Sequence, residues 1–331
     1  MKLEVTFWDV GQGDCSVIRL PDGRLILLDV GPRDSPLIDW LAQRPQEKIY
    51  AVVLTHNDDD HAGCFATLLE QFHSRIEHQF LLQDRPDQDS VMKRIVQTAA
   101  RAKHQYGIKS YRLEATPERP QYIYSSELSV PVGIYAVHPD MIASMENQTS
   151  RRPRPNTVSA IICMMVAGKV SVIWPGDCAV SSIVESCEGL VPLMLVGPHH
   201  GAPVDRKSKD YPSHFDRLSA DAVFISVGSQ NSYGHPVPDY VVKHAKKGRT
   251  VCCTQLHHCD KARVSARNSV LHNHLALGVL PPRKSNAVTC RGPIVFSWDD
   301  ADEDFVEDRF QAEHHRLVRE SVQKPLCISP S

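Results

Sequence analysis

The densest chemistry in this chain of 331 residues lies in His56-Asn57-Asp58-Asp59-Asp60-His61. Carboxylate oxygens neutralise divalent charge and imidazoles supply directional nitrogen ligands, so the spacing His56-x-Asp58-x-Asp60-His61 suits two divalent metal ions. Alternate residues can face one ion while the next pair faces the other. The alternative is a polar loop whose acids cap a following helix, a task open to Asp60. Further candidates are Asp29, Asp177, His199, His200 and His235. Each alone has a plainer reading: Gly176-Asp177 as a turn, His199-His200 as a surface pair, His235 as a loop residue before Pro236.

The elements that must position them give these residues a common address. Leu25 to Asp29 and Tyr50 to Thr55 are continuous apolar strands, as expected when both faces are covered, and the second runs straight into His56. Val170 to Trp174 leads to Asp177, and Leu193 to Val196 leads to His199 and His200. Ala222 to Ser226 leads through a loop to His235. Ligand sites in α/β proteins form where such strand ends converge. Other strands are predicted at Glu4 to Val10, Cys15 to Leu20, Val132 to Val137 and Ala160 to Met165. Helices are predicted near Pro36 to Ala42, Ala62 to Phe72, Ser90 to His104 and Val241 to Lys246. Two runs of strands separated by helices imply an α/β fold, an αββα sandwich of two mixed β-sheets with outer helices.

Composition narrows the partners. Hydrophobic residues are 42% and charged residues 23% of the chain, an ordinary globular balance. A net charge of −2 excludes a strongly basic surface for duplex nucleic acid. No apolar run approaches the ~20 residues of a membrane span, and the amino terminus alternates like a strand instead of a signal peptide. These features lead to the expectation of a cytoplasmic protein with no membrane partner, whose 10 cysteines are thiols or metal ligands. Residues 1–250 read as the domain that carries these candidates, 251–298 as a Cys/His-rich extension packed on it, and 299–331 as an acidic polar tail. Cys253, Cys259 and Cys290 could form a structural zinc site, and the alternative is a set of reduced, partly buried thiols.

The motifs resemble the metallo-β-lactamase superfamily, most closely the soluble hydrolase domain of ComEC-type DNA-uptake proteins. The pieces are Asp9-Val10-Gly11-Gln12-Gly13-Asp14, Leu28-Asp29-Val30-Gly31, Leu54 to Gly63, Asn156-Thr157-Val158-Ser159, Pro175-Gly176-Asp177, Pro198-His199-His200-Gly201 and Asn231-Ser232-Tyr233-Gly234-His235-Pro236. The resemblance implies that His56 and Asp58 bind one metal, Asp60, His61 and His200 the other, and that Asp177 bridges both. It implies zinc first, with manganese as the alternative. Asp60, His199 and His235 would take part in catalysis, His199 as proton donor or substrate contact and His235 facing phosphate. Asp29 would hold a ligand histidine in its tautomer. Asp14, Asn156, Ser159, Asn231 and Tyr233 would support ligands or touch substrate. Asp58 and Asn156 stand where β-lactamases usually carry histidine, which weakens an antibiotic-hydrolysing reading.

The activity expected is phosphodiester hydrolysis by a water that two metals activate. Nucleic acid, single-stranded DNA above all, is the expected substrate, since base stacking can replace part of the charge attraction that this near-neutral chain lacks. Arg151, Arg152, Arg154, Arg206, Lys207 and Lys209 are its local basic residues. The alternatives are a small-molecule phosphodiesterase, or a metal-binding sensor with protein partners in a multi-component system.

Overall fold

Runs such as Leu25-Ile26-Leu27-Leu28 need apolar cover on both faces. The computed structural model describes residues 3–81, 90–127, 131–150, 155–229, 231–257, 288–298, 307–322 and 325–328. It provides that cover with two seven-stranded sheets packed face to face and helices outside. The first half of the chain supplies β1 (Leu3–Phe7), β2 (Cys15–Arg19), β3 (Leu25–Val30), β4 (Ile49–Val53), β5 (Ile76–Leu81) and β6 (Lys109–Arg112). Its helices are α1 (Leu37–Ala42), α2 (Asp59–Ala62), α3 (Phe65–Phe72) and α4 (Ser90–Tyr106).

The second half supplies β7 (Gln121–Ser126), β8 (Val132–His138), β9 (Ile161–Val166), β10 (Lys169–Trp174), β11 (Met194–Val196), β12 (Ala222–Ile225) and β13 (Thr250–Cys253). With them come α5 (Met141–Thr149), α6 (Val180–Ser186), α7 (Tyr211–Arg217) and α8 (Pro238–Lys246). β14 (Ile294–Trp298) then returns to pair antiparallel with β1, and α9 (Glu307–Ser321) follows.

The sheet orders are β14-β1-β2-β3-β4-β5-β6 and β13-β12-β11-β10-β9-β8-β7. Both are mixed and follow one plan: antiparallel pairing up to β3 or β10, parallel pairing beyond. β3 and β4 in one sheet thus correspond to β10 and β11 in the other. Ile26, Leu28 and Val53 face Ile162, Val172 and Trp174 between the sheets, while Leu25, Leu27 and Val52 pack outward under α1, α3 and α4. Among the described residues, no helix is long and apolar enough to cross a membrane.

The stretch read as a packed-on extension supplies an edge strand to each sheet, β13 beside β12 and β14 beside β1. Sequence reading misses this because strands of four and five residues are too short to carry much periodic signal. The tail differs too: α9 buries His314, Leu317 and Val318, and Val318 shares an apolar cluster with Val251 of β13. Cys253 and Cys290 pack in or against that same cluster; Cys259 lies outside the described residues.

Burial, then the charges of Arg291 and His315, push His314 down to about 3. An unfolded imidazole takes up its proton near pH 6.5. The unfolded chain therefore binds the extra proton below that pH, and stability falls as pH drops from about 6.5 toward 3. His314→Leu is expected to flatten this slope by up to about 1.4 kcal/mol per pH unit. Urea denaturation of both proteins at several pH values checks it; parallel curves would contradict it.

Candidate metal centre

Turns at the carboxyl ends of the parallel strands bring the candidate residues together. Asp29 closes β3, His56 to His61 follow β4, Asp177 follows β10, His199 and His200 follow β11, and the His235 loop follows β12. Asp29, His199 and His200 take left-handed backbone, with φ of 50°, 49° and 54°. Such conformations cost on the order of 1–3 kcal/mol each and persist where surrounding contacts over-determine them. Backbone hydrogen bonds from Gly31 N to His61 O (3.0 Å) and from Asp14 N to Asp60 O (3.2 Å) pin the ligand segment to two neighbouring turns.

The side-chain hydrogen bonds assign a tautomer to each histidine. His61 Nδ1 donates to Asp29 Oδ2 at 2.8 Å. Thr55 donates its hydroxyl to the same Asp29 oxygen at 2.7 Å and its amide to Oδ1 at 2.8 Å. With its proton so used, Thr55 Oγ1 accepts from His56 Nδ1 at 3.2 Å. One carboxylate therefore orients two imidazoles, one directly and one through Thr55. His200 Nδ1 donates to Ser226 O at 3.0 Å, and His199 Nδ1 to Ala202 O at 2.8 Å. All four Nε2 lone pairs are left facing inward.

They face carboxylates. Asp177 Oδ2 lies 3.4 Å from His56 Nε2 and 3.5 Å from His199 Nε2, while its Oδ1 lies 3.2 Å from His61 Nε2. His200 Nε2 is 3.1 Å from Asp60 Oδ2, and Asp58 Oδ2 is 3.8 Å from His56 Nε2. Asn156 Nδ2 donates to Asp177 Oδ2 at 3.1 Å. Among the described residues, His56 Nε2, His61 Nε2 and Asp177 Oδ1 are buried without a hydrogen-bond partner. Buried lone pairs set against lone pairs need a cation between them, a proton or a metal ion. Protonation is correspondingly favoured: burial alone would push His61 down, but Asp177 and Asp29 override it and hold its imidazole well above its usual value. Burial likewise opposes ionisation of Asp177, yet His56 and His61 hold it well below the carboxylate range. His200 is raised to about 9 by Asp14 and Asp60 against its burial. His56, His61 and Asp177 form one close group of metal-binding donors, with Asp177 Oδ2 facing His56 and Oδ1 facing His61.

Asp14, His61 and His200 form a second close group. Asp14, however, approaches the Nδ1 side of both rings, at 4.0 Å from His61 and 3.7 Å from His200. Those nitrogens are spent on Asp29 and Ser226, so Asp60, on the Nε2 side of His200, is the better-placed oxygen donor. Asp14 stands behind the ligands, and burial raises it to about 6 although His200 and His61 pull it down. Asn231 braces its own loop, donating to Gly228 O (2.8 Å) and His235 O (2.7 Å) and accepting from His235 N (3.0 Å). Ser159 is buried beneath the Asn156 turn, its carbonyl accepting from the Cys178 thiol. Tyr233 is exposed beside His235. Among the described residues, Cys253 and Cys290 belong to no metal-binding group. On the open side, the Asp58 and Asp60 side chains are 40% and 30% exposed, which leaves room for substrate.

Thr55, Ser226, Gly13 and Gly176 were missed as site residues. Thr55 could have been noticed as a lone hydroxyl at the junction of an apolar strand and His56. At Gly13 (φ +139°) an added Cβ would lie 2.3 Å from Asp60 O and 2.9 Å from Pro32 Cδ. Gly13→Ala is expected to destabilise the fold by about 2 kcal/mol and to shift the Asp60 turn. Urea denaturation with a metal assay reads both effects; unchanged stability would remove Gly13 from the site's support.

Two mixed sheets between helices, with a His/Asp cluster at their strand ends, are the metallo-β-lactamase fold. Residues 8–78 match the model of the metallo-beta-lactamase superfamily, a span that holds Asp29 and His56 to His61 but stops before Asp177. The match covers less than half of the chain, and the two-sheet fold and the His/Asp cluster agree with it. Similar solved structures include Igni18, a metallo hydrolase from the hyperthermophilic archaeon Ignicoccus hospitalis KIN4/I, at 15% identity and TM-score 0.46, covering 90% of this chain and 100% of that one. Another is the metallo-beta-lactamase fold protein YhfI from Bacillus subtilis, at 14% identity and TM-score 0.42, covering 76% and 96%. No curated protein sequence matches the chain.

Proposed function

We propose that this chain is a two-metal phosphodiesterase acting on nucleic acid, with single-stranded DNA as the favoured substrate. The observation that carries the reading is the convergence of the His56, His61, His199 and His200 Nε2 atoms on Asp177 and Asp60. His56, Asp58 and Asp177 would hold one divalent ion, zinc or manganese, and Asp60, His61 and His200 the other, with Asp177 between them. When bound, the pair supplies an activated water and charge stabilisation at phosphorus.

The protein's own groups divide the remaining work. Asp29 and Thr55 orient the ligands. His199, partly exposed beside Asp177, is positioned to take up a proton at Nε2 and pass it to the leaving oxygen. Burial, then His199 and His200, push His235 down to about 4, so at neutral pH it meets a phosphoryl oxygen as a neutral hydrogen-bonding imidazole. Oxygen-rich Asp58 and the amide of Asn156 favour a phosphodiester over a lactam, and the resemblance to DNA-uptake hydrolases favours nucleic acid.

The test is a panel of labelled single-stranded DNA, duplex, RNA and small diesters, run with zinc or manganese. Cleavage of the single strand is expected to exceed the rest. Turnover of small diesters alone would move the substrate to a small molecule. Inertness toward every diester despite bound metal would overturn the hydrolase reading.

A further inference from the structure

One side of the centre is walled by rings. His199 and His235 meet edge to face at 4.6 Å, His200 and His235 stack at 6.1 Å, and the Tyr233 ring lies 5.7 Å from His235. This row runs from Asp177 to solvent. Its outer member, Tyr233, is 70% exposed, the most exposed large apolar side chain among the described residues. A single exposed ring is ordinary on a surface, but this one closes a row that begins at the metal ligands, and a second feature is tied to the same row through His199.

Arg206 Nη1 donates to Ala202 O and Pro203 O, both at 3.4 Å. Ala202 O is the carbonyl that orients His199. The guanidinium is thereby held next to the centre, and among the described residues its hydrogen-bond partners are these two carbonyls.

We propose that Tyr233 and Arg206 form a subsite for one nucleotide unit of a single strand, the ring stacking on a base and the guanidinium meeting the adjacent phosphate. This deepens the nucleic-acid reading of the same centre and rests on it. An exposed aromatic face accepts any base, and a guanidinium pairs with phosphate in bidentate fashion. A cationic headgroup, the other common partner of a tyrosine face, would be repelled by Arg206. Bases in a duplex are already stacked, so the ring selects single strands.

The test measures binding apart from cleavage, by fluorescence anisotropy of the full chain with zinc and a short phosphorothioate thymidine strand, against an abasic strand of equal length. Tyr233→Ala is expected to weaken binding of the thymidine strand about tenfold or more, with Tyr233→Phe preserving it and the abasic strand unaffected. Arg206→Gln is expected to weaken both strands and to flatten the salt dependence. Thymidine monophosphate, and not deoxyribose phosphate, should displace the strand. The proposal is overturned if Tyr233→Ala binds the thymidine strand as wild type does, if it weakens both strands equally, or if wild type binds neither. Base-dependent binding without hydrolysis of an ordinary strand would sink the hydrolase reading and keep the subsite; hydrolysis without base dependence would do the reverse.

Discussion

Asp177→Asn is expected to lower diester hydrolysis about a thousandfold while the fold survives. The residue is buried behind Gly176 at the end of β10, and its two oxygens reach His56 Nε2 at 3.4 Å and His61 Nε2 at 3.2 Å. Asparagine keeps the volume but removes the charge and turns one acceptor into a donor. The new amide can satisfy an imidazole lone pair that would otherwise need a cation, so the variant closes the site with a hydrogen bond. Two readouts follow. Initial rates report the loss of turnover. Thermal melts report the loss of metal linkage: a ligand at a hundred times its Kd stabilises a protein by about 2.7 kcal/mol, a gain expected for wild type and absent from the variant. A variant that keeps its metal and its rate would refute the central place of Asp177.

The second large effect is expected at Asp29, which touches neither substrate nor metal in this arrangement. Asp29→Asn preserves shape and the bond from Thr55 N to Oδ1. At the other position it presents NH₂ to the Thr55 hydroxyl and to His61 Nδ1. His61 must then accept at Nδ1 and carry its proton on Nε2, the atom aimed at Asp177. Thr55 loses its acceptor and the hold on His56 weakens with it. Metal affinity is expected to fall about a hundredfold, with a smaller loss of stability than in Asp29→Ala, which orphans the buried Thr55 amide as well. Metal titration of the three proteins decides it. An Asp29→Asn affinity close to wild type would mean that tautomer control is dispensable.

Much of the site was legible in one dimension. The ligand segment is local, so its chemistry could be read from spacing, and an apolar strand running into polar residues marks a strand end wherever it occurs. That rule found Asp29, His56, Asp177, His199 and His200 separately. The same rule led through a loop to His235, Tyr233 came from the motif, and the task of Asn231, bracing that loop, is visible only in its hydrogen bonds.

The sequence by itself determined which residues leave the strands with chemistry on them and that two layers of sheet must lie behind them, because covalent spacing and apolar patterning are local. The tertiary structure alone decided which atoms meet. Asp60 reaches His200 across 140 residues, Ser226 reaches Gly13 across 213, and β14 pairs with β1 from the far end of the chain. The inward turn of the Nε2 atoms, the relay through Thr55 and the burial of α9 depend on such long-range pairings. No periodicity encodes them, since each is set by where a partner's donor or acceptor lies once both sheets have packed.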